Sequence, residues 1–178
     1  MSDKDELRDL LLNVVEKGEV ILSSGKKSDF YIDARKITLD GRAAGIIGDL
    51  VVEKMKELGV HVVAGLSLGA DPIVGSAAAV SRGKNWPVKG LLVRKEPKSH
   101  GKRMQIEGPD VKDGEQVLVV DDVATSGGSI IKASNVLRDE GFVVQNALVV
   151  VNRQEGADDA LKEIGLDLFS LFTKEELL

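Results

Sequence analysis

Apolar residues at Leu7, Leu10, Leu11, Val14 and Val15 recur at helical spacing, which predicts a helix over residues 3–17 closed by Gly18. Short apolar runs at residues 20–22 and 30–32 read as strands around a polar turn at residues 23–29. Asp40 is placed to cap a second helix running to Leu58 and ending at Gly59. The pattern then changes to alternation. Strands are expected at residues 62–66, 90–94, 116–120, 143–151 and 166–171, with helices at 70–81, 126–140 and 158–164. Strand followed by helix followed by strand implies parallel pairing through crossover helices. The first forty residues do not share this rhythm and are expected to form a small hood over the sheet, within one domain spanning residues 1–178.

One stretch breaks the alternation. Residues 95–115 hold few apolar positions and carry Pro97, Gly101, Gly108, Pro109 and Gly114. A loop this long inside a compact domain is usually functional or disordered. It leaves a strand at its carboxyl end, where open α/β sheets bind ligands.

Composition narrows the function classes. Aromatic residues make up only 3% of the chain, so the core must rest on Val, Leu, Ile and Ala, which suit strands buried on both faces. A net charge of −5 gives no bulk attraction for nucleic acid. With no cysteine, disulfides and thiolate metal sites are excluded, and the two histidines, His61 and His100, are too few for a histidine-based zinc site. The polar, acidic start is unlike a signal peptide, and no apolar run reaches the ~18 residues of a membrane span. The expected location is the cytoplasm.

The segment Val117-Leu118-Val119-Val120-Asp121-Asp122-Val123-Ala124-Thr125-Ser126-Gly127-Gly128-Ser129 carries the strongest chemical signal. An apolar strand runs into two carboxylates, then a small-residue turn, then a helix start. Free backbone N–H groups and the positive helix end suit a phosphate. Gly127 and Gly128 permit close backbone approach, and Thr125, Ser126 and Ser129 add hydroxyl donors. Two carboxylates cannot favour a phosphate; they suit the hydroxyls of a ribose, directly or through Mg²⁺. A single Asp at this point would read as a strand end and helix cap, but the whole arrangement reads a sugar together with its 5′-phosphate. The rival nucleotide motifs, G-x-G-x-x-G and G-x-x-x-x-G-K-[ST], are absent.

A second signal is Arg94-Lys95-Glu96-Pro97-Lys98-Ser99-His100-Gly101-Lys102-Arg103, with five cationic residues and a histidine in ten positions of an acidic protein. A charge run is usually a solvated face. This one lies in the long loop, at the strand end expected to face the site. A cationic loop there fits a leaving group with several negative charges.

The first of these segments resembles the signature of type I phosphoribosyltransferases, and the order R-K-x-x-K-x-H-G resembles the catalytic loop of orotate phosphoribosyltransferases. Ser24-Gly25-Lys26-Lys27-Ser28-Asp29-Phe30-Tyr31-Ile32 is similar to that family's N-terminal segment, with Asp29 in place of the usual proline and Ser23 where many relatives carry lysine. Gly65-Leu66-Ser67-Leu68-Gly69-Ala70 resembles its pyrophosphate loop, and Val151-Asn152-Arg153-Gln154-Glu155-Gly156 its base-binding segment. The resemblance spans roughly residues 18–156.

What the resemblance implies is an α/β fold with a parallel sheet flanked by helices and a small N-terminal hood. The implied reaction transfers the phosphoribosyl group of phosphoribosyl pyrophosphate to orotate, giving orotidine 5′-monophosphate and pyrophosphate in pyrimidine biosynthesis, with Mg²⁺ as cofactor. Lys95, Lys98 and His100 would contact pyrophosphate, and Arg94 would reach the adjacent site of a homodimer. Asp121, Asp122, Ala124, Thr125, Ser126, Gly127, Gly128 and Ser129 would hold the ribose and its phosphate. Arg153 would pair with the base, and Lys26, Phe30 and Tyr31 would lie over it. Two other readings stay open at this point: a purine phosphoribosyltransferase, which would share the sugar–phosphate motif, and a non-enzymatic sensor of the donor on the same fold.

Overall fold

The computed structural model describes residues 2–21, 27–97 and 105–178. In chain order they form α1 (Asp3–Leu12), β1 (Val15–Ile21), β2 (Lys27–Ile32), α2 (Arg35–Thr38), α3 (Gly41–Leu58), β3 (Val62–Leu66), α4 (Asp71–Ser81), β4 (Lys89–Val93), β5 (Ile106–Glu107), β6 (Gln116–Ala124), α5 (Gly128–Asp139), β7 (Val143–Asn152), α6 (Ala157–Glu163), β8 (Asp167–Thr173) and α7 (Lys174–Leu177). Strands β3 to β8 make a six-stranded sheet in the order β5-β4-β3-β6-β7-β8, parallel except where the two-residue β5 runs antiparallel to β4. The fold is therefore α/β with a mostly parallel sheet flanked by helices, as the alternation implied.

The sheet is buried on both sides because its strands alternate between two apolar clusters. Val63, Leu118, Val120, Leu148 and Val150 face one cluster, with Ile47, Val51 and Met55 of α3 and Ile73, Val74 and Ala77 of α4. Val62, Ala64, Val117, Val119, Ala147 and Val149 face the other, with Ile130, Ala133 and Leu137 of α5 and Leu161 of α6. Every residue of β3 is buried, as expected of a central strand covered on both faces. Helices α3 and α4 touch closely: a Cβ on Gly48 would lie 2.9 Å from the Ser76 backbone.

The amino-terminal segment departs from the sequence expectation. The first helix stops at Leu12 instead of residue 17, and β1 begins at Val15. Val15 pairs with Ile32, Glu16 with Tyr31 and Lys17 with Phe30, so a cross-strand ladder overrides the local helical period. Gly18, at φ 118°, sits where the register shifts between Lys17 and Val20. Leu7, Leu11, Phe30 and Ile32 join the first apolar cluster, so helix α1 and this hairpin lie on the α3/α4 side of the sheet. The residues between the two strands, 22–26, lie outside those described.

Other expectations hold with small shifts. Strand β6 runs four residues further than expected, through Ala124, because residues 118–124 keep pairing with β7 as far as Ala124–Asn152. The long loop contains β5, and a one-residue extension of the β4–β5 ladder links Arg94 N–H to the Gln105 carbonyl at 2.8 Å. Two short helices, α2 and α7, had no clear periodicity to announce them. His61 stacks on Trp86 with ring centroids 4.1 Å apart, and the indole N–H donates to the Val60 carbonyl at 3.0 Å, so both residues pack the end of the sheet away from the motifs.

Helix α3 begins as the sequence indicates: the Asp40 carboxylate accepts from the Arg42 and Ala43 N–H groups, both at 3.0 Å, and Gly59 closes the helix at φ 69°. Asp40→Ala is expected to cost about 1 kcal/mol, lowering the melting temperature by roughly 2–4 °C. Asp40→Asn should recover most of it. A thermal melt in which alanine and asparagine behave alike would contradict the capping role.

Candidate active site

Strand β4 lies to one side of β3, whereas β6 enters on the other. Accordingly α4 packs on one face of the sheet and α5 on the opposite face. The turns after β3 and β6 thus part above the sheet, and the carboxyl edge between them is the crevice where open α/β sheets take ligands. Among the described residues, the acid pair of β6, the turns after β3 and β6, and Arg153 come together here.

Helices α4 and α5 start at this edge without side-chain caps, from Ala70 and from Gly127 at φ 81°. Peripheral helices α1, α3 and α7 are capped by Ser2, Asp40 and Thr173. At α5 the leading N–H groups are left for another acceptor; at α4 the Asp71 N–H turns back to the Leu68 carbonyl at 3.3 Å and Pro72 carries no N–H, so that helix brings mainly its positive end. Around the α5 start, Ser126, Gly128 and Ser129 are exposed, Thr125 is half-buried, and Ala124 and Gly127 are buried. This is the layout a phosphate requires.

Asp121 and Asp122 lie within the carboxyl half of β6 instead of past its end. Asp121 is only 7% exposed. Its Oδ1 accepts the Asp122 N–H at 3.0 Å, and Asp122 Oδ1 accepts the Val123 N–H at 2.8 Å. Successive strand residues normally point to opposite faces. Here, however, Oδ1 of both side chains borders the same spot beside Gly69, within 2.5 and 2.9 Å of where its Cβ would stand. Burial, and then the neighbouring Asp122 charge, push the Asp121 carboxyl up to about 7; the Lys95 ammonium pulls in the other direction.

The loop's two ends are fastened together. Arg94 exchanges hydrogen bonds with Gln105, whose side-chain amide donates to the Arg94 carbonyl at 2.9 Å, and the Arg94 guanidinium meets Glu107 at 3.4 Å. Glu96 meets Lys132 of α5 at 3.5 Å. Lys98 and His100 lie outside the described residues, as does Lys26. In this structure Arg94 engages Glu107 of its own chain.

Arg153 follows β7 at the same edge, and its N–H donates to the Ala124 carbonyl at 2.9 Å. The side chain is 5% exposed. Its Nε and Nη2 donate to Glu155 at 3.1 and 2.8 Å, and Nη2 also donates to the Phe30 carbonyl at 3.2 Å. Phe30 is fully buried, with Tyr31 half-buried beside it. The Arg153 guanidinium lies 5.6 Å from the centre of the Phe30 ring, and Lys174 Nζ lies 5.8 Å from it. Three residues here went unassigned from sequence. Lys174 follows β8 as Arg153 follows β7, and a basic residue directly after a strand was its only signal. Glu155 stood inside a quoted motif without a role. Asp158, which takes both hydrogen bonds of the Asn152 amide at 2.9 and 3.1 Å, fixes the start of the turn, and nothing in sequence marked the pairing.

Among the described residues no group of three or more His, Cys, Asp or Glu side chains could hold a metal ion by itself. Asp121 and Asp122 are hard oxygen donors, which fits a Mg²⁺ whose remaining ligands come from water and a phosphorylated substrate.

No family model matches the chain. Among curated relatives, the orotate phosphoribosyltransferase of Aquifex aeolicus (strain VF5) is 40% identical over 182 residues, covering 100% of this chain and 99% of that one. That of Rhodopseudomonas palustris (strain BisB18) is 40% identical over 165 residues, covering 91% and 88%. Among solved structures, Mycobacterium tuberculosis H37Rv orotate phosphoribosyltransferase in complex with 5-phospho-alpha-D-ribosyl 1-diphosphate superposes with a TM-score of 0.82 at 35% identity, over 99% of each chain. Adenine phosphoribosyltransferase from Leishmania donovani, with a TM-score of 0.66 at 15% identity, shares the fold alone.

The Asp121 carboxyl yields a stability test. Its folded value of about 7 lies above its ordinary 3.8, so the folded state holds the proton more tightly. That contribution to stability is complete below the ordinary value and is lost as pH rises through the folded one. Asp121→Asn has no such titration. Its melting temperature relative to wild type should therefore climb between about pH 4 and pH 7 and level off above. A difference that stays flat across this window would show that Asp121 is not raised.

Proposed function

The chain belongs to the orotate phosphoribosyltransferase family, and we propose that it works as a Mg²⁺-dependent homodimer in the cytoplasm, with each site completed by the partner's loop. It is a phosphoribosyltransferase that moves the 5-phosphoribosyl group from phosphoribosyl pyrophosphate to orotate. The observation that carries the site assignment is the meeting, at one edge, of the acid pair of β6, the uncapped starts of α4 and α5, and Arg153 after β7.

Each part has a role that follows from its chemistry. The amides and hydroxyls of residues 125–129 hold the 5′-phosphate. Asp121 and Asp122 accept from the ribose hydroxyls. The turn of residues 67–70 and the start of α4 face the diphosphate. A ring nitrogen of orotate attacks the anomeric carbon, a C–N bond forms, and the C–O bond to pyrophosphate breaks with its electron pair leaving on the diphosphate. Positive charge grows on the sugar and negative charge on the leaving group. Carboxylates beside the sugar oppose the first, and Lys95, Lys98 and His100 oppose the second. Asp121 and Asp122 would contribute oxygen ligands to a Mg²⁺ bound with the donor, and such an ion would supply charge neutralisation to the diphosphate. Loop closure excludes water that would otherwise attack the sugar.

Orotate is planar and anionic, and Arg153 pairs with it by exchanging its Glu155 hydrogen bonds for the ligand's, with Lys26 and Tyr31 beside the ring and the fully buried Phe30 backing the guanidinium. Arg153 and Lys174 both approach the Phe30 ring, and two cations at the base end favour a carboxylated pyrimidine over an uncharged purine. A non-enzymatic sensor has no need of the cationic loop.

Arg153→Ala is expected to raise the Michaelis constant for orotate by at least about tenfold, with a smaller change for the donor, in a spectrophotometric assay of orotate consumption. Arg153→Lys should fold alike and still fall short, since a point charge does not replace the fork. If only the donor constant moves in both variants, the base site lies elsewhere.

Loop sharing is tested by subunit mixing. One variant carries Lys98→Ala with His100→Ala, the other Asp121→Asn with Asp122→Asn, and each alone should be nearly inactive. Random exchange makes about half the dimers mixed, each with one intact site, so activity should return to roughly one quarter of wild type. Confirmed mixed dimers without recovery would show that the loop serves its own chain.

A further inference from the structure

We propose that Gly69 is a positioning residue: its missing side chain lets the backbone of the β3–α4 turn lie directly on the Asp121 and Asp122 carboxylates, fixing the ribose-reading pair against the diphosphate-reading turn. The proposal rests on the assignment of those carboxylates to the donor's sugar. Gly69 does not adopt a left-handed backbone conformation, so φ is not the reason for glycine here. Space is. A Cβ at this position would lie 2.5 Å from Asp121 Oδ1, 2.9 Å from Asp122 Oδ1 and 3.2 Å from Asp122 Cγ. Real Cβ atoms do not approach that closely, so one side must move.

The turn itself has little freedom to yield. Ser67 N–H donates to the Val93 carbonyl at 2.9 Å, and its hydroxyl donates to Asp71 at 2.9 Å. Below it, a Cβ on Gly65 would meet the Ala70 methyl at 2.2 Å and the Val120 carbonyl at 2.3 Å, so the turn is also held close to β6 at its base. Between these fixed points Leu68 points outward, 66% exposed, while Gly69 faces the acid pair. The groups an added methyl displaces are therefore the carboxylates, which can rotate, and not the strand beneath them.

The two glycines thus do different jobs. At Gly65 the obstruction is backbone of a central strand, and alanine there disturbs the fold. At Gly69 it is the end of two functional side chains, and alanine there disturbs their aim. Both carboxylates shift together, and the cost falls on the phosphoribosyl donor, since the donor spans the turn and the acids.

The test is a double-mutant cycle read by calorimetric binding of phosphoribosyl pyrophosphate, with thermal melts alongside. Gly69→Ala is expected to weaken donor binding by about tenfold or more, the loss of a hydrogen bond to a charged group, with orotate's Michaelis constant little changed. Its melting temperature should stay near wild type, while Gly65→Ala melts clearly lower. In an Asp121→Ala, Asp122→Ala background the added methyl meets no carboxylate, and Gly69→Ala should then cost less than about threefold. An equal loss in both backgrounds would overturn the proposal, because the turn would then act on the donor by itself. A melting temperature as low as that of Gly65→Ala would overturn it too, as would undiminished donor binding in Gly69→Ala. Should the alanine pair alone leave donor affinity intact, the sugar assignment itself fails, and the proposal with it.

Discussion

Strand β6 pairs with β3 on the side away from β4, and the arrangement of the working edge depends on that placement. Helix α4 must cover one face and α5 the other, so their amino ends part above the two central strands. Neither helix is capped by its own side chains; both turn their positive ends toward the gap, and α5 adds its leading N–H groups. Between them the chain sets two consecutive carboxylates. That local negative charge would repel a simple phosphate, but set between two anion-seeking helix ends it matches a ligand that is phosphate at both ends and polyol in the middle.

Keeping the acids so near the turn has an electrostatic cost. Asp121 is almost fully buried beside a second carboxylate, and both effects oppose its ionisation. Lys95 eases this from the root of the loop. The same lysine belongs to the cationic run of residues 94–103. On the other side of the edge, Arg153 is kept in place while buried by Glu155 and the Phe30 carbonyl, which ties it to the amino-terminal hairpin.

Local sequence determined much of this. Alternating apolar strands and helices announced an α/β sheet because strands covered on both faces must be apolar almost throughout. Asp40 and Gly59 marked the ends of α3 because capping chemistry is local. The acid pair, the small-residue turn and Arg153 were legible for the same reason: each is a short run whose chemistry does not depend on distant neighbours.

Tertiary structure decided the rest. The pairing of Val15 with Ile32 ended the first helix early, since a ladder with the next strand outweighs helical periodicity over one turn. Lys174 reached the Phe30 ring only because β8 lies beside β7 with its carboxyl end level. Nothing in the sequence set Gly69 apart within its turn; the sheet brought it against Asp121 and Asp122, 52 and 53 residues further along the chain. A sequence records which side chains exist and how they repeat; whether one must be absent depends on what packs against it, and that is set only when distant strands meet.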